Sequence, residues 1–340
     1  MKKVNYICIA LLLVLSLTAC TNTESTTVDT PSTDGIPAKE IVLSLNHVGA
    51  TDHPYQTGAL KFAELVEEYT GGSVKVDVFP ASQIASGAKA IEFVQVGTLD
   101  IALESTMAFS NFVAEMGVLD MPYLFANKEE AFKVIDGKVG QRLSEIAELK
   151  GFKVLGWWDN GFRSITSTKG SIEKPADLVG LKIRTPESQV FLKTFETLGA
   201  IPTPMAVSEV FSALQLGTID ASENSDSNNI RNKYIEICPY YSVTKHIYTF
   251  EPLIMSLDRF NSLTSDQQEA ILKAAKEAEE VQRQASLAMD ETNMDTIRAA
   301  GVTLNIVEDI SEFKAACQPV YDSIPEFKEY LDMIETAKAN

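Results

Sequence analysis

The chain is poor in the residue types that most enzyme and metal sites depend on. Its 340 residues include only three His, four Cys, two Trp and seven Arg. The three His are scattered, with no pair at helical spacing, which argues against a metal site. The chain has no Gly-x-Ser-x-Gly turn, no Gly loop for phosphate and no dinucleotide fingerprint. We therefore expect a protein that is not an enzyme and that uses no cofactor and no metal.

Positive charge is also in short supply. Lys and Arg number 29 against 47 acidic residues, for a formal net charge of −18. Nucleic acid and anionic lipid surfaces are therefore not expected partners. A small organic anion can still bind to such a protein if a few buried cations face it. Arg suits that task because its planar guanidinium meets a carboxylate at two points.

No apolar run is long enough to span a membrane, and the apolar stretch near the start is short. Residues 1–19 carry Lys2 and Lys3 ahead of this run, the pattern of a signal peptide. Its removal would take away these two Lys and no acid, so the charge of the mature chain would change from −18 to −20.

The sequence Leu17-Thr18-Ala19-Cys20, at the end of the signal peptide, resembles the bacterial lipoprotein box. This predicts that Cys20 becomes the lipid-modified first residue, with residues 20–38 as a lipid-anchored flexible linker. The alternative is an ordinary signal peptide with a coincidental Cys. We expect an exported protein anchored to the outer face of the cytoplasmic membrane, with periplasm or cell surface left open. Cys238 and Cys317 could pair there, but the sequence does not show whether they are close.

An eleven-residue pattern occurs twice, 120 positions apart: QVGTLDIALES at 95–105 and QLGTIDASENS at 215–225. Each copy follows a helical pattern and reads as helix end, Gly turn, short strand and polar tip. Ligands bind outside the carboxyl ends of strands in open α/β sheets. The repeat therefore predicts two similar lobes whose strand tips, Glu104 and Asn224, face one small molecule. The alternative is that the shared Gly and Asp residues only form turns.

The rest of the chain fits an α/β fold of the two-lobed periplasmic-binding-protein type. Strand and helix patterns alternate as βαβ units, and hinge strands are expected near residue 162 and after residue 240. A long helix from Ser265 to about Ala300 would span both lobes. We assign 39–160 plus about 249–290 to lobe I and 161–248 plus about 291–340 to lobe II.

Arg184 is the first candidate for contact with a ligand. It lies opposite Leu181 and Ile183 in a strand that Pro186 ends, which places it at the carboxyl rim. The alternative is a surface ion pair. Arg163 could likewise contact a ligand. The alternative is that it only forms an ion pair with Asp159.

Four polar residues are further candidates. Glu104, Asn224 and Asn160 could hydrogen-bond ligand hydroxyls, with turn capping as their alternative. His53 follows the first strand and could also face the cleft. Glu104 and Glu223 could in principle be a glycosidase pair, but Asn224, not Glu223, is the repeat counterpart of Glu104.

From about Ile41 to His246 the chain resembles the solute-binding subunits of TRAP (tripartite ATP-independent periplasmic) transporters, the family named after C4-dicarboxylate uptake. The strings that carry this resemblance are GWWDNGFRSIT, LKIRTPES, PTPMAVSEVFSALQLGTIDASEN and NKYIEI. It implies an extracytoplasmic receptor that closes on an organic acid and delivers it to separate membrane subunits.

The resemblance also implies roles for single residues. Arg184 looks like the family's carboxylate-binding Arg, Arg163 like its second cleft Arg, and Asn224 like the Asn that helps hold the carboxylate. Glu104, His53 and Glu187 fall where family members vary their ligand contacts. Phe211 matches an aromatic position that packs on the ligand. Ser225 stands where the family commonly has Pro after the Asn.

The string WWDNGFR is similar to that of family members that handle sugar acids. Acidic residues near the ligand disfavour a C4-dicarboxylate, because a carboxylate facing the ligand's far carboxylate costs free energy. Glu104 and Glu187 therefore favour a uronate such as glucuronate or galacturonate, or a keto-sugar acid. The alternatives are a C4-dicarboxylate or other small organic acid, and a ligand-sensing receptor with no part in transport.

Overall fold

The computed structural model describes residues 40–339. The predicted signal peptide, the predicted lipidation of Cys20 and the predicted linker lie outside the described residues.

The strands are, in chain order, β1 (Ile41–His47), β2 (Val74–Phe79), β3 (Ile101–Leu103), β4 (Phe152–Ser167), β5 (Lys182–Thr185), β6 (Ile201–Pro204), β7 (Ala221–Ser225), β8 (Tyr240–Val243), β9 (Tyr248–Ser256) and β10 (Thr303–Ile306). The α-helices are α1 (Pro54–Tyr69), α2 (Ala88–Gln95), α3 (Thr106–Phe109), α4 (Lys128–Ile135), α5 (Lys138–Leu149), α6 (Gln189–Thr197), α7 (Val207–Gln215), α8 (Asp226–Arg231), α9 (Leu257–Asn261), α10 (Ser265–Ala299), α11 (Ser311–Asp322) and α12 (Lys328–Ala339). Short 3-10 helices occupy Ala114–Asp120, Pro175–Leu178, Tyr234–Glu236 and Pro325–Phe327.

The strands form a mixed sheet in the order β2-β1-β3-β9-β4-β7-β5-β6, with β8 beside β4 and β10 beside β8. The pairs β1–β2, β1–β3, β5–β6 and β5–β7 are parallel, as the βαβ pattern predicts. Antiparallel β4 and β9 join the two parallel groups. The predicted lobe boundaries along these strands remain a prediction.

β4 is one strand of 16 residues where the sequence pattern indicates two. It pairs with β9 as far as Phe162 and with β7 from Arg163 onward. The register between β4 and β9 shifts between Asp159 and Gly161, and Gly161 has a φ of 101°. The crossing segment therefore contains a bulge whose conformation Gly adopts without strain.

The two copies of the repeat make matching contacts. Asp100 accepts a hydrogen bond from the backbone N–H of Ser44 in β1, at 2.8 Å. Asp220 accepts one from the backbone N–H of Lys182 in β5, at 3.2 Å. In both halves, therefore, the Asp that follows the Gly turn holds the adjacent parallel strand in place.

The 35-residue α10 begins where the sequence predicts, at a capping box formed by Thr264 and Gln267. It lies along β4 through side-chain contacts with the β4 backbone. Glu279 accepts the N–H of Trp157 at 2.6 Å, and Arg283 donates to the Trp157 carbonyl at 2.7 Å. None of the helices within residues 40–339 has the length and apolar character needed to cross a bilayer.

Both tryptophans are core residues. Trp158 is fully buried among α1, α10 and the β1–β3 side of the sheet, and Trp157 is buried in the cluster that contains Phe250. Neither is among the residues lining the cavity described below.

Candidate functional site

A cavity lies where the ends of β3, β5 and β7 meet the central part of β4 and β9. Its volume is about 70 Å³. Its polar lining residues are Glu104, Ser105, Asn160, Arg163, Arg184, Glu187, Asn224, Asn228, Asn232 and Glu251. Six of the eight predicted binding residues are among them.

Arg184 is 4% exposed in β5, and burial lowers its pKa. Its Nε and Nη2 both donate to the backbone carbonyl of Met205, at 3.1 and 2.8 Å. No carboxylate among the described residues forms an ion pair with it. The remaining N–H groups of this guanidinium can therefore receive an anion from the cavity.

Arg163 is equally buried but has a protein partner. Its Nε and Nη2 donate to the two carboxylate oxygens of Glu223, at 2.5 and 2.8 Å. His246 Nε2 lies 3.2 Å from Glu223 Oε2. Burial alone would raise the pKa of Glu223, but pairing with Arg163 outweighs it and holds the pKa below its ordinary value. Arg163 thus lines the cavity as a largely neutralised cation.

Asparagine side chains form one wall. Asn224 Oδ1 accepts the backbone N–H of Ser225 at 2.9 Å, so the carbonyl side of this amide is used within its own turn. Asn160 donates to Glu251 Oε1 at 2.9 Å and accepts from Asn228 Nδ2 at 3.2 Å. These bonds hold the amides of Asn160 and Asn228 in fixed orientations beside the cavity.

Two buried carboxyl groups line the same cavity. Glu104, just beyond β3, accepts the backbone N–H of Gly87 at 3.0 Å through Oε2, and its Oε1 has no partner. Glu251 Oε2, in β9, also lacks one. Burial raises the pKa of Glu251 to about 8 and that of Glu104 well above its ordinary value. A protonated carboxyl group can donate a hydrogen bond as well as accept one, so these shifts favour the form that can do both.

The remaining predicted residues have different positions. Glu187 lines the cavity and is exposed, and its carbonyl accepts from Asn111 Nδ2 at 2.8 Å. His53 and Phe211 are not lining residues. Phe211, within α7, packs against a hydrophobic cluster of Val210, Leu214, Ile219, Tyr234 and Cys238. His53 caps α1, since its Nδ1 accepts the N–H of Tyr55 at 3.2 Å, and burial lowers its pKa to about 3. The binding roles assigned from the sequence stay predictions.

Sequence reasoning missed Glu251, Asn228 and Asn232. An isolated acidic residue within the otherwise apolar stretch of β9 was the available signal for Glu251. The two Asn residues fall within and just after α8, directly after the second repeat copy. Among residues 40–339, no group of three His, Cys, Asp or Glu side chains is arranged to hold a metal ion.

Comparison with known proteins adds a family assignment. The model of the DctP family, described as bacterial extracellular solute-binding protein family 7, matches residues 45–328. The 2,3-diketo-L-gulonate-binding periplasmic protein YiaO of Escherichia coli strain K12 is 35% identical over 244 residues. That alignment covers 72% of this chain and 74% of YiaO.

Solved structures of TRAP periplasmic solute-binding proteins share the fold. One from Sulfitobacter sp. NAS-14.1, with bound β-D-galacturonate, is 30% identical with a TM-score of 0.84, covering 88% of this chain and all of that one. One from Sulfurospirillum deleyianum DSM 6946, with bound succinate, is 33% identical with a TM-score of 0.80, covering 88% of this chain and 99% of that one. The predicted fold class is confirmed by these matches.

Proposed function

This chain belongs to bacterial extracellular solute-binding protein family 7, the DctP family, and from that membership we propose that it binds a sugar acid in the cavity and delivers it to TRAP membrane subunits. The ligand class we propose is a uronate, such as glucuronate or galacturonate, or a keto-sugar acid. The carboxylate of the ligand would bind Arg184, and its hydroxyl groups would contact the Glu104, Glu251 and Asn160 side of the cavity.

The observation that carries this proposal is the buried guanidinium of Arg184. A buried charge without a partner costs several kcal/mol of free energy. The other two deeply buried arginines, Arg163 and Arg283, both have carboxylate partners, Glu223 and Asp136. Arg184 has only a neutral carbonyl to bind. A ligand carboxylate would supply the missing negative charge at two hydrogen-bonding points.

The opposite side of the cavity favours hydroxyl groups over a second carboxylate. Glu104 and Glu251 offer carboxyl groups there, and Asn160 is an amide. The nearby His53 stays uncharged, because its pKa is about 3. A C4-dicarboxylate would bring its far carboxylate to a side of the cavity where the lining residues include no unpaired cation. A polyhydroxylated acid with one carboxylate fits the arrangement better.

The related proteins bind ligands of both kinds. The Sulfitobacter structure holds galacturonate and YiaO is named for 2,3-diketo-L-gulonate, whereas the Sulfurospirillum structure holds succinate. Family membership alone therefore leaves the ligand class open. The choice of a sugar acid here depends on the two carboxyl groups beside Asn160.

Thermal denaturation of the purified protein with a panel of ligands tests the proposal. A ligand that binds only the folded state raises the melting temperature. We expect a rise with one of glucuronate, galacturonate, galactonate or 2,3-diketogulonate and none with succinate or malate at equal concentration. The rise should disappear in Arg184→Ala and persist in Arg142→Ala, which alters an exposed arginine. A rise with dicarboxylates only would overturn the sugar-acid assignment.

We further propose that the mature protein is anchored by a lipid on Cys20. The support is the lipoprotein-box sequence and the polar linker that follows it. Mass spectrometry of the membrane-associated protein should find a diacylated Cys20 at its N-terminus. Cys20→Ala should release the protein from the membrane fraction. An unmodified N-terminus at another residue would contradict the anchor.

A further inference from the structure

Within residues 40–339, four buried polar atoms near one end of the cavity make no hydrogen bond of ordinary geometry. They are Glu104 Oε1, Glu251 Oε2, Tyr55 Oη and His53 Nε2. The ring centroids of His53 and Tyr55 are 4.0 Å apart, and Tyr55 lies beside Glu251. Buried polar atoms are nearly always hydrogen-bonded, so an unpartnered group of this kind indicates a place where a ligand or water binds.

Strand pairing brings the carboxyl groups of Glu104 and Glu251 together. β3 and β9 are antiparallel, with Leu103 opposite Leu253. The backbone N–H of Glu104 donates to the carbonyl of Pro252 at 3.4 Å. Glu104 and Glu251 therefore project from adjacent strands into the same cavity, and each has one oxygen free to bind a hydroxyl group.

Neither carboxyl group has a cation of its own. The charged and titratable groups that face Glu251 are Glu104 from β3, Tyr55 from α1, Arg163 from β4 and Asp120 from a 3-10 helix. Arg163 is the only cation among them, and it is paired with Glu223. Glu104 has the backbone N–H of Gly87 as its one partner. Two ionised carboxylates in this position would repel each other in a medium of low dielectric constant.

We propose that Glu104 and Glu251 act as a single proton-holding unit, and that binding of a sugar acid above neutral pH is accompanied by uptake of a proton at this unit. This inference rests on the proposed function, because it concerns the same ligand and the same cavity. The proton contributes to ligand binding, because a neutral carboxyl group can donate a hydrogen bond to one ligand oxygen and accept one from the next hydroxyl. An ionised pair could only accept.

The direction of the coupling follows from charge. The ligand brings a carboxylate into a small cavity that already holds two acids, and closing the cavity removes water. Both effects favour the protonated form of Glu251 in the complex. Burial already raises its pKa to about 8 in the protein, so binding should raise it further. Affinity should then be constant below pH 7 and fall above pH 8, approaching tenfold per pH unit if one whole proton is taken up.

Calorimetric titration with the uronate that gives a thermal shift tests this directly. At pH 8.5, in buffers of different ionisation enthalpy, we expect a net uptake of up to one proton per ligand bound. Glu251→Gln keeps the shape of the side chain but cannot titrate, so the affinity that remains should be independent of pH and the proton uptake should be lost. Unchanged proton uptake in Glu251→Gln, or none in the unaltered protein, would overturn the proposal.

Asp120 supplies the matched control. It is also buried, with a pKa raised to about 7 by burial, but it does not line the cavity. Thr106 Oγ1 donates to it at 2.6 Å. Asp120→Asn should leave proton uptake on binding unchanged. Loss of uptake in Asp120→Asn with retention in Glu251→Gln would assign the proton to Asp120 and overturn the role of Glu251.

A measurement without ligand separates failure of this inference from failure of the proposed function. The folded protein holds a proton on Glu251 that the unfolded chain releases above about pH 4.3. The contribution of protonated Glu251 to the free energy of unfolding therefore falls as the pH rises from about 4.3 to about 8, and it is constant above that. In Glu251→Gln that part of the pH dependence should be absent. If no sugar acid binds but this difference is found, only the coupling to the ligand fails. If Glu251→Gln has the same pH dependence as the unaltered protein, the proton-holding unit itself is wrong.

Discussion

Arg163 and Glu223 form a two-point ion pair in the protein interior, with Nε 2.5 Å from Oε2 and Nη2 2.8 Å from Oε1. Arg163 is the first residue of β4 that pairs with β7, and its partner in the register is Ser225. The pair therefore fixes the point where the central strand passes from one half of the sheet to the other. Because Glu223 balances its charge, Arg163 is less able than Arg184 to bind the carboxylate of a ligand.

Loss of this pair should destabilise the fold. Glu223→Gln leaves Arg163 buried without a compensating charge, and we expect a loss of about 3 kcal/mol in the free energy of unfolding. Urea denaturation at pH 7 measures it. Glu64→Gln, which removes an exposed pair with Lys61, should change stability by about 0.5 kcal/mol or less. Equal losses in both variants would contradict the structural role of the buried pair.

The same pair predicts sensitivity to acid. The pKa of Glu223 is lowered below its ordinary value, so its contribution to stability is fully present above that value. The contribution is lost as pH falls through the lowered pKa. In Glu223→Gln the loss of stability between about pH 4.3 and pH 2 should be smaller than in the unaltered protein. Urea midpoints measured across this range would check it, and parallel curves would argue against the pair.

Arg184→Ala should abolish most of the affinity for the ligand. We expect a loss of more than about 2 kcal/mol, because a charged hydrogen-bonded partner is removed from a buried site. Isothermal titration with the uronate identified by thermal shift measures this loss. Arg184→Lys should recover only part of the affinity, since an ammonium group cannot bind a carboxylate at two points through a planar edge. Unchanged affinity in the Ala variant would exclude the carboxylate role.

Gly161→Ala should destabilise the crossing segment of β4. Gly161 has a φ of 101°, which an L-residue adopts only at a cost of order 1–3 kcal/mol. Gly170 lies just beyond β4 and has no positive φ and no atom within 4 Å of an added Cβ. Gly170→Ala should therefore be neutral or slightly stabilising. Thermal denaturation of the two variants gives the comparison, and equal melting temperatures would contradict the strain at Gly161.

Cys238 and Cys317 should behave as separate buried thiols. They are free and belong to different hydrophobic clusters. Burial raises the pKa of Cys238 to about 11 and that of Cys317 to about 12, so neither is a reactive thiolate at neutral pH. A thiol reagent followed by peptide mass spectrometry should label both only after denaturation. A reducing agent should leave the melting temperature unchanged, and a fall would indicate a disulfide between them.

The chain is a solute receptor of its family and not an enzyme, as its lack of catalytic motifs predicts. Much of its architecture followed from local patterns. The repeated Gly turn and Asp identified two equivalent helix-to-strand units, and their matching contacts at Ser44 and Lys182 confirm the equivalence. The alternation in LKIRT followed by Pro placed Arg184 at the end of a strand, where the structure has it beside the cavity.

The partners of buried charges did not follow from local patterns. The sequence suggested Asp159 as the acid that could pair with Arg163, because the two are four positions apart. In the structure Arg163 pairs with Glu223, and Asp159 binds Lys128, Tyr248 and Ser286. A strand rises about 3.3 Å per residue, so residues four positions apart in β4 are separated by about 13 Å, and an acid on the adjacent strand β7 lies closer.

Glu251 is a further case. In the sequence it is one acid near the start of an apolar stretch, and this isolated position is the only local signal of a role in ligand binding. Antiparallel pairing of β9 with β3 and β4 brings it to Glu104 and Asn160, which lie 147 and 91 positions away in the chain. Periodicity, capping and turn residues act over a few positions, so they predicted most of the helices and strands and the Arg184 end of the site. Which buried charges are neutralised and which remain for a ligand depends on distances between segments far apart in the chain, so it became visible only in the folded protein.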